Sequence, residues 1–245
     1  MDDGERGSRR AGSADRAPGS GHGLASGYGE TPSALTLAQG RVIIYSFIVH
    51  NHSGNSTTLS FIQRPGQAGS QAPVVRPASR ADVEQIHELV TQYVADGSML
   101  PRTPEQIALN IDNYVVAVKR GRVVACAALE EYSPSLAEVS SVAVSPSEHG
   151  NGLGTEVVLG IERLARARNV DEIFALSLID RFFLALDYTP TDISRYPEKL
   201  SRYEVLSNAG VNLVPKRCFQ KHLSGEWTMA EVKPAAKKQR ARRAS

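Results

Sequence analysis

The stretch "VAVSPSEHGNGLGTEVVLG", Val142–Gly160, decides the fold. A β-branched run meets Pro146, then Gly150, Gly152 and Gly154 alternate, and helical spacing follows at once. Val157, Ile161, Leu164 and Ala165 fall at i, i+4, i+7 and i+8, the buried stripe of an amphipathic helix. A helix N-terminus leaves backbone N–H groups unpaired and carries partial positive charge, so a strand running through glycines into a helix suits a phosphate. Glycine lets the backbone approach an anion and adopt angles that other residues avoid. A Walker-type loop is excluded, because Thr155-Glu156 follows Gly154 where Lys-Ser/Thr is required. A dinucleotide fingerprint counted from Gly150 meets Thr155 at its third glycine, and its strand lies mid-chain. A tight turn that needs glycine for shape alone stays open.

Outward from that stretch, residues 73–225 read as one compact domain. Val74–Ala78 is a short first strand. Ser79 and Asp82 resemble a capping box, and Val83, Ile86, Leu89, Val90, Tyr93 and Val94 continue as an amphipathic helix expected to end at Gly97. Thr103-Pro104-Glu105-Gln106 opens a second helix with a cap, a proline at the first helical position and a glutamine closing the box; Ile107 and Ile111 form its buried stripe. "NYVVAVKRGRVVACAALEEY" is a hairpin around Lys119–Arg122, and "AEVSSVAV" is the strand entering the glycines. "EIFALSL" adds a strand and "DRFFLAL" a short helix. The order βααβββαβα predicts an α/β (α+β) fold, a central mixed β-sheet with helices on both faces.

The remainder of the chain bounds the reading. Of 245 residues, 41% are apolar, and the net charge of +2 is too small to specify an acidic partner. Cys126 and Cys218 are too few for a disulfide framework and suit reduced thiols in the cytoplasm. The polar start is no signal peptide, and the apolar run Val42–Val49 falls well short of the roughly 20 residues of a membrane span. Residues 1–72 read as a low-complexity, disordered extension, with "RPGQAGSQAP" as linker. Residues 226–245 form a basic tail whose default reading is a solvated end, with nucleic-acid contact the minority reading.

Val-Ala-Val-x-Pro, the alternating glycines and the helix together resemble the acetyl-CoA pyrophosphate loop of the GNAT acyltransferase superfamily. Its pattern of Arg or Gln, two residues, Gly, one residue, then Gly or Ala maps to His149, Gly152 and Gly154, with His149 departing from the usual side chain. "GSMLPRTPEQIALNIDNYVVAV", "ACAALEEY", "LAEVSSVAVSPSEHGNGLG" and "IFALSLIDRFFLALDYTPTDISRYPEKLSRY" extend the resemblance, over about residues 74–205, to the acetyltransferase domain of N-acetylglutamate synthases. That resemblance implies the GNAT fold and direct acetyl transfer from acetyl-CoA, as co-substrate, to the α-amine of L-glutamate, the first step of arginine biosynthesis. It implies no metal and no permanently bound cofactor, and a homodimer is the candidate assembly.

The resemblance also assigns residues. Val142, Ala143, Val144, His149, Gly150, Asn151, Gly152, Leu153, Gly154 and Thr155 hold acetyl-CoA, with a backbone N–H of Val142–Val144 facing the oxyanion. Glu138 is the base, Ser177 protonates the thiolate, and Arg102, Ser141 and Lys199 bind the acceptor. The chemistry independently requires a base, because an ammonium cannot attack a thioester before losing a proton. Strict alternation puts Glu138 and Ser141 on opposite strand faces, so both line one site only if the strand is bulged. The tyrosine acid of many GNAT enzymes is replaced by Phe183. The Arg/Lys-Ser-Lys cluster that often helps bind the amino acid is replaced by "VLSNAGVNLVPKR", with Lys216 and Arg217 as candidate substitutes. Residues 1–72 are expected to form no amino-acid-kinase-like, arginine-binding domain. The rival readings are acetylation of another amine and a non-catalytic acetyl-CoA-binding module whose basic tail touches nucleic acid.

Overall fold

The computed structural model describes residues 33–37, 40–63, 72–211 and 213–223. A seven-stranded mixed sheet forms the centre. Its strands are β4 (Val74–Pro77), β5 (Tyr114–Lys119), β6 (Arg122–Ser133), β7 (Leu136–Val144), β8 (Glu172–Ser177), β9 (Thr189–Thr191) and β10 (Arg217–His222). The spatial order is β4-β5-β6-β7-β8-β10-β9, antiparallel throughout except for the parallel pair β7–β8.

Alternation along the central strands builds two apolar layers. Val115 and Ala117 on β5, with Ala125, Ala127 and Leu129 on β6, meet Val157, Ile161 and Leu164 of α3 (Leu153–Ala167). Tyr114, Val116, Cys126 and Ala128 point the other way, onto Ile86, Leu89 and Val90 of α1 (Val83–Thr91) and Ile107 of α2 (Pro104–Leu109). With both faces covered, these strands read as continuous apolar runs rather than as polar–apolar alternation. The predicted stripe of α3 is buried at all its positions.

Both caps form as the sequence predicts. The Ser79 N–H donates to Asp82 Oδ2 at 2.7 Å, and the Gln106 N–H donates to Thr103 Oγ1 at 3.3 Å while Thr103 N–H returns to Gln106 Oε1. The first helix is shorter than expected: it stops at Thr91, and turns fill 92–97 up to Gly97, whose φ is 73°. Three C-terminal elements go beyond the sequence reading: β9, α5 (Pro197–Asn208) and β10, which inserts between β8 and β9. "RCFQKH" looks too polar for an interior strand, but Lys221 is neutralised by Glu162 of α3, its Nζ lying 2.9 Å from both carboxylate oxygens.

The reading of residues 1–72 as a disordered extension is corrected at residues 33–37 and 40–63. β1 (Ser33–Leu37), β2 (Gly40–His50) and β3 (Ser56–Gln63) form a separate antiparallel sheet. Val49 is 1% exposed and joins the α3 core, with Leu59 packed beside it. The apolar run at Val42–Val49, read alone, gave no sign of the face it would meet. Residues 1–32, 64–71 and the tail 224–245 lie outside the described residues. Both cysteines are buried and unbridged, and no helix among the described residues is long and apolar enough to cross a membrane.

Among the described glycines the tightest surroundings are at Gly160, where a Cβ would sit 2.7 Å from Val115 Cγ1. Gly160→Ala therefore forces Val115, fully buried on a central strand, to shift. Overpacking costs of about 1–3 kcal/mol are expected to exceed the helix-propensity gain of about 1 kcal/mol. The urea midpoint should fall for Gly160→Ala and fall further for Gly160→Val.

Candidate active site

β7 and β8 pair only from Leu136↔Glu172 to Glu138↔Phe174. Beyond that point the strands line the two sides of a cavity of about 680 Å³. The predicted bulge is present on the other edge of β7: Cys126 faces Ala143 and Ala128 faces Ser140, so Ser141 and Val142 together oppose Ala127. Ser141 takes φ 51°, uncommon for a residue other than glycine. Its carbonyl accepts from the Cys126 thiol at 3.5 Å, and burial pushes that thiol up to about 12, which keeps it protonated. The bulge resets the alternation, and Glu138 and Ser141 both line the cavity.

The glycine loop closes one end. Gly150 and Gly152 adopt φ of 79° and 80°, and a Cβ on either would meet nothing within 4 Å. Backbone angle, not crowding, therefore requires glycine there, and the loop face is open. Gly152 caps α3, whose first-turn N–H groups have no intrahelical acceptor before Glu156, which donates to Gly152 O at 3.1 Å. Gly154 serves a different purpose, since a Cβ there would lie 3.3 Å from Phe182. Lys119 Nζ donates to Glu148 Oε1 at 2.6 Å beside the loop. The Tyr93 hydroxyl donates to Val144 O, and His149 Nε2 lies 2.9 Å from both that carbonyl and the Tyr93 hydroxyl. Where the superfamily pattern has Arg or Gln, this ring fixes the strand end against the turn after α1.

The other end is charged. Glu138 is 4% exposed, and its Oε2 accepts from the Tyr132 hydroxyl at 2.9 Å and from Lys199 Nζ at 2.8 Å. Burial raises its carboxyl above the usual range, opposed by Lys199 and by the Tyr132 hydrogen bond. Directly across the ladder, Glu130 binds Arg102 Nη2 at 3.0 Å and the Arg202 guanidinium. Burial alone would raise Glu130, but the two guanidinium groups hold it below the usual carboxylate range. The Arg102 carbonyl is itself fixed by His87 Nδ1 at 2.8 Å. Lys216 donates to Ser98 O at 2.7 Å, and burial together with neighbouring Lys199 lowers its pKa.

Of the residues assigned from sequence, Arg102, Glu138, Ser141, Val142, Val144, Ser177 and Lys199 line the cavity, as does the loop from His149 to Thr155 apart from Asn151. The Asn151 side chain turns to Glu148 at 3.2 Å, and Ala143 packs into the α1 layer. Ser177 Oγ accepts from Ile179 N–H at 2.9 Å, which leaves its own proton available for donation. Phe183 is a core residue packed edge-on against Tyr188. Lys216 reaches the cavity, whereas Arg217 is 65% exposed and pairs with Asp180. Sequence reasoning missed Glu130, Tyr132, Arg202 and Tyr203. For the last two a signal existed: after Pro197 at a helix start, Lys199, Arg202 and Tyr203 fall at i, i+3 and i+4 on one face. For Glu130 and Tyr132 none did, because their partners depend on the β6–β7 register.

Lys199→Met is expected to cost about 3–5 kcal/mol at neutral pH, because it strands a buried carboxylate. With its cation gone, the Glu138 pKa rises further. A carboxyl whose folded pKa exceeds its unfolded value binds extra protons in the folded state, so stability falls as pH rises between the two. Urea melts should therefore show a larger deficit for Lys199→Met at about pH 8 than at about pH 5.

Comparison with known proteins agrees with this geometry. Residues 83–181 match the Acetyltransferase (GNAT) family. An uncharacterized N-acetyltransferase from Chlorobaculum tepidum is 33% identical over 128 residues, 52% of this chain and 83% of that protein. An amino-acid acetyltransferase from Pseudomonas putida is 30% identical over 144 residues, 58% of this chain; the match spans only 33% of that longer protein. The crystal structure of Rv2747 from Mycobacterium tuberculosis, in complex with CoA and NLQ, superposes with a TM-score of 0.55 at 26% identity, covering 62% of this chain and all of that one. Because the family match spans the glycine loop and both diverging strands, and a one-third-identical relative is matched over most of its length, the chain belongs to the GNAT acetyltransferase family.

Proposed function

We propose that the protein transfers acetyl directly from acetyl-CoA to the α-amine of L-glutamate. One observation carries the reading: the open glycine loop and the buried Glu138 with its surrounding cations face a single cavity. The loop and the α3 N-terminus suit a pyrophosphate, and the diverging strands leave a slot for the thioester between them. Glu138 takes a proton from the acceptor ammonium, and the freed amine attacks the thioester carbonyl carbon. Backbone N–H groups of Val142–Val144 face the oxyanion, and Ser177 supplies a proton to the departing thiolate. Four basic groups, Arg102, Lys199, Arg202 and Lys216, against the three carboxylates of Asp96, Glu130 and Glu138 leave that end net positive, which suits an acceptor with two carboxylates. The likeness to amino-acid acetyltransferases supports an amino-acid acceptor. On this reading the enzyme acts in the cytoplasm at the entry to arginine biosynthesis.

A second reading has an amino acid with one carboxylate as acceptor. It is favoured by Glu130, which already occupies both Arg102 and Arg202.

Thiol release from acetyl-CoA across a panel of amino acids separates these. Release selective for L-glutamate is expected, and Arg102→Ala should raise its KM about 10- to 100-fold, the worth of a charge-assisted hydrogen bond. Selectivity for a mono-carboxylate amino acid establishes the second reading, and acetyl-CoA binding without release for any amine sinks both. Gly152→Val, forced to φ near 80°, should weaken acetyl-CoA binding on the order of tenfold in calorimetry.

A further inference from the structure

The hydrogen bonds to Glu138 are unevenly distributed. Tyr132 and Lys199 approach from different elements, β6 and α5, yet both donate to Oε2. Oε1 has no hydrogen-bond partner among the described residues, and Glu138 lines the cavity. We infer that Tyr132 and Lys199 are positioning residues that pin Oε2 and so present Oε1 as the atom that takes the acceptor's proton. The inference rests on the acetyl-transfer reading above.

Both donors are themselves held. The Tyr132 ring lies 5.4 Å from Phe174, which stacks on Tyr196 at 3.9 Å, and the Tyr196 hydroxyl donates to Glu172 at 2.8 Å. Lys199 is 4% exposed on the first turn of α5, with its Nζ 5.0 Å from the Tyr203 ring centroid. Burial on its own favours the neutral carboxyl, which cannot accept a proton. Two donors on Oε2 stabilise the carboxylate and fix its rotation, leaving the Oε1 lone pairs for the acceptor. In the step, an N–H bond of the ammonium breaks and an Oε1–H bond forms. The nitrogen lone pair then makes the C–N bond, the C–S bond breaks, and the second amine proton leaves as the thiolate is protonated.

Other charged and titratable groups also face Glu138. Glu130 lies across the ladder, Arg202 and Tyr203 come from α5, and Lys216 and Cys218 come from the β10 end. The test therefore changes only the groups on Oε2. Tyr132→Phe keeps the ring against Phe174 and removes the O–H alone. Removing a donor to the charged form raises the carboxyl pKa, so the acid limb of kcat/KM is expected to move up by on the order of one pH unit. The rate should fall less above that limb than below it. The Glu138 titration midpoint, read by carboxyl-¹³C NMR, should move with the limb. Lys199→Gln should shift both in the same direction, and Lys199→Arg should restore both toward wild type. Acetyl transfer with an unmoved limb in Tyr132→Phe and Lys199→Gln, or an equal rate loss at every pH, overturns the inference alone. A wild-type protein that acetylates no amine overturns the acetyl-transfer reading and this inference with it.

Discussion

The parallel pairing between β7 and β8 lasts for three residues and then stops, and the cavity exists because it stops. A sheet interior offers no room for a ligand; two strands that part create a slot whose walls are backbone. Parting has a cost, since every N–H and C=O released from a ladder must find another partner or face solvent. Several features of the chain answer that cost. The bulge at Ser141–Val142 breaks step with β6, the Cys126 thiol satisfies the Ser141 carbonyl, and Tyr93 with His149 satisfies Val144 O. The strand then passes into the glycine loop, where unpaired N–H groups suit the pyrophosphate that we propose binds there.

Charge at the opposite end of the cavity obeys a comparable constraint. Glu130 and Glu138 sit side by side on neighbouring strands, an arrangement that is unfavourable for two carboxylates unless cations intervene. Arg102, Arg202 and Lys199 intervene, and two of the three arrive on α5. That helix buries little else: Lys199 is its one buried residue, and Val205 is 67% exposed. α5 is thus seated largely by its ion pairs with the sheet. On the proposed function, the groups that would meet a charged acceptor also join α5 to the sheet, which would couple binding to local stability there.

This coupling explains the uneven legibility of the site. His149, the glycines and Glu138 lie within one continuous stretch, so the resemblance could group them at one site from their order along the chain. Glu130 and Tyr132 belong to a strand whose last residues look like an ordinary solvent-facing end, and only the register with β7 sets them against Glu138. Arg202 and Tyr203 required α5 to be recognised as a helix. The segment around Val49 was misread as an extension because its burial comes from α3, more than a hundred residues away.

The sequence by itself determined the strand–glycine–helix unit, the two capped helices, the β5–β6 hairpin and the order of elements from β4 to the short helix Asp180–Leu184. Each depends on residues within a turn or two of one another, where periodicity, capping and φ preferences act. Only the tertiary structure decided that β10 inserts between β8 and β9, that β7 leaves the ladder after Glu138, and which oxygen of that carboxylate is left free. Those outcomes are set by pairings and buried charges between distant segments, whose energies depend on burial and register, and no local pattern records either.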